Sequence, residues 1–346
     1  MHRDNLVKAM KAVIPGVARK DIVEVFTCIC FVQDKIMSTN GQVYIRYQLD
    51  EDSGLTLSVP GKPIYSILNS LGCESVELAE TKKGLKITAT NLKGKLVTPE
   101  VQADKSIDKL VQEPEDSEWI DFPKDLLGAL KLCKFSCSRD QTEGVLTCVN
   151  VNDDVVRSTD KFRISQYKLT ESTNQKMSLP VPLIAELEKY AGDIEEWCIK
   201  GNQVFFRIFG GRLVVGGPFL TGEYPDVSSF FTINPQIEID LPEEISDVLL
   251  RQKLLLDDIL DLDQETKITV TGEGIILSSC SKSVGEIEKI IETCVPEEGH
   301  GHTFFINPLF MIEILQLCKK MGYDDTNKIV SFCSNGFQHV LKTRAD

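Results

Sequence analysis

One pattern of elements recurs three times along the 346 residues, at an interval of roughly 115 positions. Solenoid repeats use shorter intervals, and this one is about the length of a small domain. Three similar domains are therefore expected, spanning 1–115, 116–235 and 236–346. Each opens with an amphipathic helix. Leu6, Met10 and Val13 mark the apolar stripe of the first, and Leu126, Leu130, Cys133 and Cys137, spaced four, three and four apart, mark the second. The third, over 246–260, is more apolar and less regular.

Strands follow in each copy: 27–33 and 42–48, then 144–151 and 155–167, then 267–271 and 274–279. The turns between them, Asn40-Gly41, Asp153-Asp154 and Gly272-Glu273, use residues that tolerate hairpin backbone angles. A further strand feeds a second helix through a proline at 55–63, 177–182 and 303–308. These helices carry Ile64, Ile67, Leu68 and Leu71, then Leu183, Ile184 and Leu187, then Leu309, Ile312 and Leu315. Each is predicted to stop at a glycine, Gly72, Gly192 and Gly322. Another hairpin comes next in every copy. Copies one and two add one more strand, 95–97 and 212–216, whereas the third is expected to lack its final strand and to leave an unpaired sheet edge. The fold class is thus α+β, each domain being two helices packed on antiparallel sheet. The connectors are 104–120, rich in charge, and 233–244, with two prolines.

Composition narrows the function. With 42% hydrophobic residues and no apolar run long enough to cross a membrane, the chain has material for several cores and no expected membrane partner. The first residues, MHRDNLVKAMKAVIPG, contain no signal-peptide core, so a cytoplasmic location is expected. The eleven cysteines are odd in number, sit mostly singly in apolar runs and form no Cys-x-x-Cys, which reads as small buried hydrophobes rather than disulfides or zinc ligands. A net charge of −14 argues against a protein that coats nucleic acid, because that affinity comes from Lys and Arg neutralising phosphates. Any DNA contact needs a locally basic face.

Two stretches flank a helix-sized segment in the middle third. Residues 158–165 (STDKFRIS) read as a strand in which ionic and apolar side chains alternate, and residues 219–231 (FLTGEYPDVSSFF) place a turn before Val227, Phe230 and Phe231. From pattern alone they are either two core segments or a recognition pocket.

Three such copies, with STDKFRIS and LTGEYPD placed as they are in the second, resemble the bacterial-type DNA polymerase sliding clamp, the beta processivity subunit. The likeness spans nearly the whole chain. It is sharpest in copy two, where FSCSRDQTEGVLTCVNVN, STDKFRI, SLPVPLIAELEKY and LTGEYPDVSSF follow in the family's order and spacing. What the resemblance implies is a six-domain ring, a head-to-tail homodimer, with helices lining the hole and sheets outside. Such a ring encircles duplex DNA without reading its sequence and acts in DNA replication as a processivity factor, tethering the polymerase.

That role agrees with the placement of basic residues. Lys124, Lys131 and Lys134 are expected on one stripe opposite the leucines of the second copy's first helix, with Arg139 just beyond. Lys8 and Lys11 share a face in copy one, followed by Arg19 and Lys20. Each group reads alone as a solvated helix face; recurrence in an acidic protein favours a DNA-facing surface. Copy three has Asp257, Asp258 and Asp261 instead, and phosphate contact is not expected there.

In the family, the polymerase and the clamp loader insert short peptides with Leu and Phe anchors between the second and third domains. Carried onto this chain, the pocket walls are Leu146, Thr159, Lys161, Phe162, Arg163, Ile164, Pro225, Ser229 and Phe230, with Asn307 and Phe310 from copy three. Phe162 stands where the family often has a smaller or polar residue. For ring closure, the resemblance sets Leu96 of one subunit against Leu255 and Leu256 of the next, with Lys93 and Lys95 facing Asp257 and Asp258. An edge strand protected by lysines is the ordinary reading of the same residues.

No enzyme is expected. There is no Walker loop or Gly-x-Gly-x-x-Gly, and the pairs Gly210-Gly211 and Gly216-Gly217 bracket a strand without opening a helix. His300-Gly301-His302 beside Glu297 and Glu298 reads as a polar loop rather than a metal site, and none of the four histidines accompanies a nucleophile motif. No cofactor, metal or catalytic residue is predicted. The rival function is a clamp-like adaptor or transcription co-activator that binds partner peptides without encircling DNA.

Overall fold

The computed structural model describes residues 1–82, 84–89, 113–115, 118–232 and 235–344, and the backbone of 95–98. Copy one runs α1 (Arg3–Val13), β1 (Cys28–Val32), β2 (Lys35–Thr39), β3 (Tyr44–Gln48), β4 (Thr56–Pro60), α2 (Gly61–Ser70), β5 (Val76–Thr81), β6 (Gly84–Ala89) and β7 (Lys95–Thr98). Copy two repeats it with a short lead strand: β8 (Ile120–Asp121), α3 (Leu126–Cys133), β9 (Cys148–Asn152), β10 (Val155–Thr159), β11 (Arg163–Lys168), β12 (Lys176–Pro180), α4 (Val181–Leu187), β13 (Ile194–Lys200), β14 (Gln203–Ile208) and β15 (Leu213–Pro218). Copy three runs β16 (Ile237–Asp240), α5 (Glu244–Leu255), β17 (Thr266–Thr271), β18 (Gly274–Ser281), β19 (Gly285–Glu292), β20 (Thr303–Ile306), α6 (Pro308–Leu315), β21 (Lys320–Asp324), β22 (Ile329–Ser334) and β23 (Phe337–Lys342).

The helix stripes are buried as their spacing requires, except that α3 stops at Cys133 and Cys137, expected on its stripe, lies beyond the short turn that follows. Leu6, Ala9, Met10 and Val13 of α1 and Leu126, Ala129, Leu130 and Cys133 of α3 have no exposed surface. Proline opens the second helices because its missing N–H costs nothing in the first turn. In α6 the Asn307 side chain also accepts the Leu309 and Phe310 amides at 2.9 and 3.3 Å.

The sheets do not respect the copies. One has the order β4-β1-β2-β3-β15-β14-β13-β8, and a second the order β12-β9-β10-β11-β23-β22-β21-β16. The first half of one copy is thereby continued by the second half of the next. The seams are antiparallel, β3 to β15 through Tyr44↔Gly216 and Leu213↔Tyr47, and β11 to β23 through Ile164↔Val340 and Tyr167↔Phe337. Two smaller sheets remain, β19-β18-β17-β20 and β5-β6-β7. Two compact units result, Met1–Leu127 with Leu179–Thr221 and Gly128–Ser178 with Gly222–Asp346, and both take part of copy two.

Several expectations are corrected. Copy three does not lack its last strand: β23 is present and pairs on both sides, with β22 and with β11. The source of the error is Gly322, which reads as a helix stop. Helix α6 ends earlier, at Leu315, and Gly322 lies inside β21, where a Cβ would come within 2.7 Å of Pro235. Residues 27–48 hold three strands rather than two, because Gln33, at φ 55°, turns the chain into β2. STDKFRIS is not one strand but the end of β10, a turn and the start of β11. Strand β19 is an addition that the sequence pattern does not announce.

Candidate functional site

The turn between β10 and β11 is fixed by its own side chains. Thr159 Oγ1 donates to the Arg163 carbonyl at 2.8 Å and accepts from the Lys161 amide at 3.1 Å. Asp160 Oδ1 accepts from the amides of Phe162 and Arg163 at 3.1 and 3.0 Å, and Lys161 takes φ 75°. The turn lifts Phe162, 43% exposed, away from the core and sends Arg163 inward, where it is 2% exposed.

Arg163 is the hub of this site. Its Nε donates to Asp160 Oδ2 at 2.8 Å, and its terminal nitrogen to Glu313 on α6. The guanidinium lies 4.2 Å from the ring centre of Phe310 and 5.3 Å from that of Phe135. Glu313 also accepts from Arg139 at 3.2 Å. Burial pushes the Asp160 carboxyl up from its ordinary range, and Arg163 acts against that rise. A buried ion group of this kind adds little net stability, but it fixes geometry: the rings of Phe162 and Phe310 come to 6.5 Å. Lys161 pairs with Glu143 at 2.5 Å and holds that carboxyl below its usual range.

Beside this hub is an apolar floor. Thr159, Ile164 and Val340 are cross-strand neighbours on one face of β10, β11 and β23, all under 9% exposed. Phe230, 42% exposed on the short turn Ser228–Phe231, borders the same cleft as Val340. Leu146 is buried, and Pro225 and Ser229 are exposed on the 222–231 segment. The Tyr224 hydroxyl is buried and its pKa pushed up by desolvation. Sequence reasoning misses Val340 because it reads that residue's strand only as the second arm of a hairpin and does not bring it beside β11. It misses Glu313 because nothing local ties it to a residue 150 positions away.

The basic residues divide between the units. Lys8, Lys11, Arg19 and Lys20 are exposed around α1, with Lys124 in the same unit. Lys124 lies ahead of α3 rather than on it, which corrects the single-stripe reading; Lys131 is exposed on the helix, and Lys134 is half-buried in the turn that follows. Arg139, 71% exposed, is paired with Glu313.

Of the ring-closure residues, Lys93 lies outside the described residues, and Lys95 and Leu96 are in β7. Leu255 and Leu256, at 8% and 1% exposure, are spent on their own core and have no surface for a partner. Nearby exposed leucines are Leu250 and Leu254 on α5, then Leu260 and Leu262. Asp257 is exposed, and Asp258 accepts from Ser281 at 3.3 Å. His302 stands edge-on to Tyr323 at 5.7 Å, and among the described residues no group of three or more His, Cys, Asp or Glu is placed to hold a metal ion. No helix of the described residues is long and apolar enough to cross a membrane.

No protein-family model matches the chain. It is 22% identical over 305 residues to the "Beta sliding clamp" of Chlamydia pneumoniae, a match covering 83% of this chain and 81% of that protein. Among solved structures, the beta subunit of DNA polymerase from Streptococcus pyogenes superposes with a TM-score of 0.86 at 17% identity, covering 100% of this chain and 99% of that one. The DNA polymerase sliding clamp of Bacillus subtilis gives 0.83 at 18% identity, covering 100% and 98%. The fold is that of the bacterial DNA polymerase beta clamp, and the chain is a divergent relative of that protein.

Proposed function

We propose that the protein is a DNA sliding clamp: it closes into a ring with a second copy of itself, holds duplex DNA without regard to sequence, and tethers a polymerase by peptides bound at the Phe162–Phe310 site. Each of the three clamp domains is one copy of the repeat. The observation that carries the reading is an unmatched seam. Strand β3 pairs with β15 and β11 with β23, the third strand of one copy with the last strand of the next. By the same rule the third strand of copy three, β19, requires the last strand of copy one, β7, and both are edges of their sheets. Between two chains they continue the sheet head to tail. Charge agrees, since β19 carries Glu286, Glu288 and Glu292 and β7 begins at Lys95. Ile290 of β19, 48% exposed, and Leu254, 75% exposed, add apolar surface on the same unit.

DNA contact falls to Lys8, Lys11, Arg19, Lys20, Lys124 and Lys131, a set of dispersed cations suited to weak contact with phosphates. Sedimentation across a dilution series, followed by retention on circular DNA before and after cutting, tests the proposal. A dimer that stays on the circle and leaves when it is linearised is expected. A monomer at every concentration that still binds peptide would replace this reading with the adaptor.

A further inference from the structure

The two eight-stranded sheets share one register, so each position on the first has a counterpart on the second. Across the first sheet, on the face away from its helices, run Tyr44, Gly216, Phe205 and Cys198, each paired with the next. The same row on the second sheet is Ile164, Val340, Ser331, Gly322 and then Glu238. Trp119, the residue just before β8, corresponds to Glu238 of β16. On the first sheet the row is filled: Tyr44, Phe205, Cys198 and Trp119 are buried in one cluster, with the Tyr44 and Phe205 rings edge to face at 6.2 Å. On the second, Ser331 stands for Phe205, Gly322 for Cys198 and Glu238 for Trp119.

Pro235 packs over Gly322 and takes the place of Cys198, whereas the small Ser331 leaves a cleft of about 210 Å³ beside it, floored by Ser331 and Gln338, edged by Gly322 and walled by Phe230, Phe231 and Pro235. An ion pair between Lys320 and Glu238 sits at its rim. Phe230 and Val340 border the cleft and also belong to the proposed peptide site, so the two are continuous. Pockets for whole ligands run to about 300 Å³ and above. This one is sized for a single large side chain, with apolar walls and polar atoms on its floor, as an amphipathic ring requires.

We infer that the cleft is a further subsite for an aromatic anchor, an indole above all, carried by the partner peptide beyond its Leu and Phe; this rests on the peptide reading proposed above. The chain's own Phe205 and Trp119 on the first sheet show what fills such a place. Two probes test it on the full chain. Indole alone is titrated and followed by amide NMR shifts. Peptides carrying Leu and Phe anchors, extended at either end by Trp or by Ala, are compared by fluorescence anisotropy. Indole is expected to shift the Gly322, Ser331 and Gln338 amides, and one Trp extension to bind about tenfold more tightly than its Ala counterpart. Ser331→Phe, which restores the first sheet's residue, removes both effects, and Ser331→Ala, which leaves the space open, keeps them. Unshifted amides, or equal binding of Trp and Ala peptides at both ends, would overturn the subsite. Indole shifts with no binding of either peptide would instead overturn the peptide as occupant, and the pocket reading with it, while leaving the cleft as an aromatic site.

Discussion

Replacing Arg163 by Met would test what holds the turn at the candidate site. The methionine keeps an apolar stem against Phe310 but removes the donors to Asp160 and Glu313. Losing one partner of a buried ion pair costs about 3 to 5 kcal/mol, because the remaining charge has neither water nor a counterion. Asp160 would still receive the amides of residues 162 and 163, and Glu313, 23% exposed, would still have Arg139. The low end, about 3 kcal/mol, is therefore expected for Arg163→Met. Glu313→Gln should cost less, about 1 to 2 kcal/mol, since it leaves the Asp160 pair intact. Urea unfolding gives both values, and hydrogen exchange at the amides of Phe162 and residue 163 reports whether the turn itself loosens. The double variant Arg163→Met, Glu313→Met should cost less than the sum of its parts, because the Arg163–Glu313 contact that each single change removes is lost only once. A loss below about 1 kcal/mol for Arg163→Met, with unchanged exchange, would show that this network does not fix the site.

Three further outcomes follow from the geometry. Phe162→Ala and Phe230→Ala, both at side chains nearly half exposed, should each weaken a Leu/Phe peptide roughly tenfold by anisotropy without altering the circular dichroism; unchanged affinity would remove them from the site. Lys8→Glu with Lys11→Glu should flatten the salt dependence of duplex DNA association by about 0.9 in log-log slope for each phosphate no longer neutralised, and an unchanged slope would place these lysines away from DNA. His339 is fully buried, its Nδ1 2.8 Å from Ser165 Oγ, and desolvation, with Arg163 adding to it, holds its pKa well below the ordinary 6.5. Unfolded chains then bind a proton that the native state refuses, so stability falls as the pH drops below about 6.5, and His339→Phe should shrink the difference in urea midpoint between about pH 7.5 and 5.5.

Elements carried by periodicity were legible in the sequence. The stripes of α1 and α3 and the proline entries into α2, α4 and α6 stand where spacing put them, since a helix face and an N-terminal proline are local properties. What failed was local evidence with two meanings. Gly322 reads as a helix stop, yet the close approach of Pro235 requires glycine in a strand. Leu255 and Leu256 read as a partner's contact, yet α5 turns them inward and leaves Leu254 outside. The site was half legible: Phe162 and Phe310 could be named, but the Arg163–Glu313 contact and the empty row at Ser331 depend on pairing between distant strands.

The seams have a cost in time. Gln166 and Gln338 bond across a separation of 172 residues, and Arg46 reaches the Gly211 carbonyl across 165. At synthesis rates of roughly 5 to 20 residues per second, β3 and β11 leave the ribosome about 10 to 35 seconds before the strands that cover them. During that wait each half-sheet presents an apolar edge, and the strand made next, from the same repeat, is a ready wrong partner. Mispairing within one copy, in place of the native pairing between copies, is thus the characteristic folding hazard of this chain, and copy two cannot be excised as an independent domain without opening both sheets at once.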